Sequence, residues 1–117
     1  MILRSAPLAA LLAAAAPAAA PALTLEQRTM LRCSAAFALV ANRQRAGEPD
    51  ALAFPDVGER GREYFVRAMA SLMDTAGLGR EAIAALVAGE AQDLAADSRT
   101  LYRAMPSCLL SLEASGL

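Results

Sequence analysis

The sequence predicts an all-α fold: a small, irregular four- or five-helix bundle, closed by one disulfide between the first and last helices. Three observations carry that expectation. Beyond position 24, apolar residues recur at three- and four-residue steps, and no stretch alternates with the period of two that a half-buried strand requires. Capping residues and glycines divide the chain into helix-length segments. The only two cysteines, Cys33 and Cys108, stand near opposite ends of the patterned region.

Residues 1–22 read as a cleaved secretory signal peptide, and 23–117 as a single helical domain. Met1-Ile2-Leu3-Arg4 makes a short positive start, Ala6 to Ala16 an apolar run, and Ala20-Pro21-Ala22 a small-residue cleavage site. The run is shorter than the roughly 20 residues a bilayer span needs, so no stable membrane insertion is expected after cleavage. No cysteine sits at the end of the run, which argues against a lipoprotein. A periplasmic or secreted location is the resulting expectation.

Removing 22 of 117 residues leaves 95, enough for one thin core. Removing Arg4 from the 11 basic residues leaves 10 against 12 acidic ones. Every basic residue is arginine, which reflects codon composition more readily than phosphate recognition. Without a basic excess, nucleic acid is not an expected partner.

Thr24-Leu25-Glu26-Gln27 has capping-box spacing, so a first helix is expected over Leu25 to Arg45, with Gly47 to end it. Its buried stripe is Met30, Cys33, Phe37, Val40 and Ala41. Pro49 and Pro55 predict a non-helical connection, pinned to the body by Leu52 and Phe54. Asp56-Val57-Gly58-Glu59 repeats the capping-box spacing and starts a second long helix near Val57, with Gly77 its end. Phe65, Met69, Leu72 and Ala76 form its apolar face, flanked by Tyr64, Ala68 and Met73. Gly79 caps a third, Arg80 to about Ala95, whose short link predicts an antiparallel hairpin with the second. Asp97 or Ser98 caps the last stretch, with Leu101, Tyr102, Met105, Cys108, Leu109 and Leu112 facing inward. Pro106 either kinks that helix or opens a separate one to Ala114, and the break is the expectation.

In an exported chain of this size an even cysteine count predicts a disulfide, Cys33 to Cys108. Loop-closure entropy over 75 residues assigns it about 4.5 kcal/mol. A redox role is disfavoured: there is no C-x-x-C spacing and no lysine or histidine to lower a thiol pKa.

The absence of histidine removes Ser-His-Asp and Cys-His sites and the commonest nitrogen ligand of zinc. Carboxylate pairs remain, Glu59 with Glu63 and Glu90 with Asp93, in polar surroundings that suit a solvated helix face better than acid–base catalysis. No catalytic residue, metal or cofactor is expected, and the chain is not expected to be an enzyme. Arg60, Arg62 and Arg67 at the start of the second helix, where Gly58 and Gly61 allow close approach, could hold an anion. With Tyr64, the aromatic residue expected to be most exposed, they form the candidate interaction surface.

The functional expectation is a non-catalytic, protein-interaction module of the periplasm whose partner is another envelope protein. The alternative is an envelope or acid-stress chaperone. One disulfide joining distal helices in a small exported domain is similar in architecture to the acid-activated chaperone of enteric bacteria, though no motif is shared and no residue carries over. Protonating 12 carboxylates would leave 10 uncompensated arginines to loosen the fold. A small inhibitor acting through the Pro49–Pro55 loop, or an enzyme, ranks below both.

Overall fold

The computed structural model describes residues 22–117, and the expected signal peptide, apart from its last residue, lies outside them. Five helices follow in order: α1 (Leu25–Arg45), α2 (Pro49–Leu52), α3 (Gly58–Ala76), α4 (Arg80–Ala96) and α5 (Ser98–Ala114). The described residues contain no strand, and none of their helices is long and apolar enough to cross a membrane.

α1 begins and ends where its sequence signals place it. Thr24 and Gln27 form the reciprocal capping box, at 3.1 and 2.9 Å. Gln27 also donates to Thr75 Oγ1 at 3.1 Å, so one buried amide caps α1 and ties it to the end of α3. At the other end Gly47 adopts φ +76°, and Glu48 and Gly47 donate to the Arg43 and Gln44 carbonyls. This is a Schellman closure, which only glycine enters without strain.

The burial of α1 exceeds a single stripe. Leu31 and the whole run from Cys33 to Phe37 are buried, as are Val40 and Ala41, whereas Met30 is only half-buried. The reason is position: α1 touches each of the other four helices more extensively than they touch one another. Cysteine, serine and alanine at 33–36 let neighbours close on it from several sides. α3 comes so near that a Cβ on Gly61 would stand 2.8 Å from the Phe37 Cβ. Phe37 meets Tyr64 edge-on, with centroids 5.3 Å apart.

Cys33 and Cys108 are disulfide-bonded, with Cα atoms 5.2 Å apart and both residues 2% exposed. The bond joins α1 to α5 inside the main core, among Phe37, Leu101, Met105 and Leu112. Leu31, Leu72, Leu78 and Ile83 form a second cluster, where α1 meets α3, the α3–α4 connection and α4.

Several expectations are corrected. Pro106 does not break the last helix: α5 is continuous through it. The ring lies on the exposed side, while Met105 and Cys108 are held in the core on the other, so the carbonyl it cannot bond is not stranded among apolar groups. The connection holds no continuous helix, but Pro49 opens the single turn α2 from its first position. Leu52 does not pin that connection; it is 57% exposed, and Ala51 and Phe54 take the inward positions. The second capping box does not form. Val57, buried and with its N–H donated to Gln44 Oε1, becomes the cap residue, and Asp56 accepts from Gly58 instead. The α3 face is also rotated. Gly61, Tyr64, Ala68 and Leu72 are buried, Phe65 and Met69 half-buried, and Met73 exposed. α3 and α4 share a short connection, yet each packs chiefly on α1 rather than on the other.

Two glycine substitutions separate packing from helix propensity. Gly89 sits in α4 with nothing within 4 Å of an added Cβ. Gly89→Ala is expected to raise stability by up to about 1 kcal/mol. Gly61→Ala is expected to lower it by about 1–3 kcal/mol, because the α1–α3 spacing must widen. Denaturant unfolding of both variants checks the opposite signs; stabilisation by both would contradict the close contact.

Candidate functional site

Of the four residues expected to form a surface, only Arg62 remains available. Tyr64 is 5% exposed, its ring against Phe37 and its hydroxyl 2.8 Å from Ser111 Oγ. Arg60 bonds Glu113 at 2.8 Å and the Leu117 backbone oxygen, and Arg67 donates to the Ser115 carbonyl at 3.0 Å. Both arginines therefore fasten the end of α5 to α3. The carboxylate pairs do not form a site. Glu59, Glu63 and Asp93 are exposed, and Glu90 faces Arg32 at 3.5 Å. Among the described residues, no three acidic or cysteine side chains gather as a metal set.

Arg62 instead belongs to a groove of about 350 Å³ between α1 and the start of α3. Its α1 wall carries Ser34, Ala38, Ala41 and Arg45, which recur over three helical turns on one face. Its α3 wall carries Gly58, Gly61, Arg62 and Phe65. Small residues on both walls leave the space open, and Phe37 and Val57 line its buried side.

Two polar features distinguish this groove. Ser34 is 1% exposed, and its hydroxyl has no hydrogen-bond partner, the one such side-chain atom among the described residues. A buried hydroxyl without a partner costs stability unless something else satisfies it. At the rim, neither Arg45 nor Arg62 has a carboxylate within 4 Å among the described residues, a condition they share with Arg28, Arg67, Arg80, Arg99 and Arg103; what sets these two apart is that they line one groove. Arg45 is bonded only to Asn42 Oδ1, a neutral acceptor. The start of α3 borders the groove, with its Val57 and Gly58 N–H groups taken by Gln44 Oε1 and Asp56 Oδ1.

The edge of the groove is held by a residue no sequence signal marks. Gln44 Nε2 donates to the carbonyls of Ala51, Phe54 and Pro55, and its Oε1 accepts from Val57. One side chain thus organises the whole connection into α3. Beside it, Phe54 stacks on Tyr102 at 5.7 Å, and Arg43 bonds the Tyr102 hydroxyl at 3.1 Å. Ser34 and Arg45 were legible only in retrospect. Ser34 follows Cys33 in the buried part of α1, and Arg45 lies eleven residues on, the same side of the helix.

The chain matches no family model, no curated protein and no solved structure.

The reassignment of Tyr64 from surface to core is directly testable. Tyr64→Phe keeps the ring and removes the bond to Ser111, so a loss of about 1 kcal/mol in unfolding free energy is expected. A variant as stable as the parent would show that the buried hydroxyl contributes nothing.

Proposed function

We propose that this chain is a non-catalytic binding module of an oxidising, extracytoplasmic compartment, and that the α1–α3 groove is its binding site. One observation carries the reading: an unpartnered buried hydroxyl and two arginines without carboxylate partners line the same open groove. Buried side-chain polar atoms elsewhere among the described residues have partners, and the exception supports a bound group that completes the bonding here. A volume of about 350 Å³ lies in the range of small-ligand pockets, and apolar walls with a few polar groups are their usual lining. The buried disulfide supports the compartment, because such bonds persist where the surroundings are oxidising.

The expected partner, another envelope protein, enters this proposal in a restricted form. A stable protein interface covers about 800 Å² on each side. A groove this size takes a small molecule, or at most one inserted side chain or chain end.

The test is a titration of the nitrogen-labelled, disulfide-bonded protein with a fragment set of small acids, amines and neutral molecules, read as amide shifts. Shifts that cluster on Ser34, Ala38, Asn42, Gly61 and Arg62 are expected. Shifts confined to other surfaces, or none at all, would overturn the assignment of the groove.

A further inference from the structure

We infer that the groove takes a small organic acid: a carboxylate carried on an apolar body of medium-chain aliphatic size. This rests on the groove being the binding site and adds the class of ligand. Charge is the first argument. Arg45 and Arg62 stand on opposite walls of one groove with no carboxylate within 4 Å among the described residues, and neither Glu59 nor Glu63 lines it. Two like charges converging on a space with no counter-ion favour an anion there. The start of α3 is not part of this charge, because the Val57 and Gly58 N–H groups already donate to Gln44 Oε1 and Asp56 Oδ1.

The second argument is independent of charge. The buried Ser34 hydroxyl lacks a partner although Ser34 lines the groove, so the ligand is expected to supply one. Between Ser34 and the rim the side chains of Phe37, Ala38, Ala41, Val57 and Phe65 would desolvate an aliphatic or aryl chain, with the amide of Asn42 beside the two arginines. A fully hydrated inorganic anion would leave that surface unused. A volume of about 350 Å³ is too small for a long lipid chain and close to the lower limit for organic ligands. The ligand is therefore compact, apolar along most of its length, and anionic.

Calorimetric titration of the intact disulfide-bonded protein with octanoate, and in parallel with octanol, octylamine and a short peptide ending in leucine, tests this. Octanoate is expected to bind at least tenfold more tightly than octylamine and more tightly than octanol, with affinity falling as salt is raised. Arg62→Gln is expected to weaken octanoate about three- to tenfold, while Arg80→Gln, on exposed α4, leaves it unchanged. Ser34→Ala is expected to weaken octanoate about fivefold with the melting temperature unchanged or raised, because the hydroxyl it removes has no partner in the free protein. Equal binding of octanol and octanoate, or binding of the peptide alone, would overturn the ligand class and leave the groove assignment standing. No binding of octanoate together with no fragment shift at the groove would overturn both.

Discussion

The approach of α3 to α1 at Gly61 and Phe37 is the constraint on which the rest of the structure depends. It is possible only because one residue lacks a Cβ, and it sets the α1–α3 distance for two helices that run antiparallel. With that distance set, Tyr64 is driven inward against Phe37 and toward Ser111, and Ala68 and Leu72 follow one and two turns later. α5 is tied to α1 through the disulfide and to α3 through Tyr64, Arg60 and Arg67, and α4 packs on α1 beside them. The result is a bundle with a central helix rather than a ring of equivalent ones. This explains why residues 33–37 are all buried although no single helical stripe is that wide.

The same constraint creates the groove. Beside the contact at Gly61 the lining residues Ser34, Ala38 and Gly58 are too small to fill the space between the two helices. Gln44 keeps the adjoining connection from collapsing into the space, because its amide holds three carbonyls of that connection and the Val57 N–H. Arg60 and Arg67 bond the end of α5, and of the arginines at this end of α3 it is Arg62 that lines the groove, opposite Arg45.

What the sequence made legible follows local chemistry. Helix ends at Thr24, Gly47, Gly77, Gly79 and Asp97 depend on residues within four positions, and each was readable. The disulfide was readable from count and position. What was not readable depended on partners far along the chain. The rotation of the α3 face is set by Gly61 meeting Phe37, so periodicity placed Phe65 and Met69 inside and Tyr64 outside, one position in error. Pro106 looked like a break because helix propensity is local, whereas the burial of Leu101, Met105, Cys108 and Leu112 on one face outweighs it. Arg62, Gly58 and Gly61 were singled out from the sequence, and the structure places all three on the groove. Arg45 was missed because its contribution comes from another helix.

Native-state hydrogen exchange tests the central claim most directly, which is that α1 is the buried column around which the other helices are arranged. If so, the amides from Leu31 to Ala41 are the slowest in the protein and exchange only through global unfolding, while those of α4 open more readily. Exchange in α1 as fast as in the exposed stretches of α4 would contradict the account.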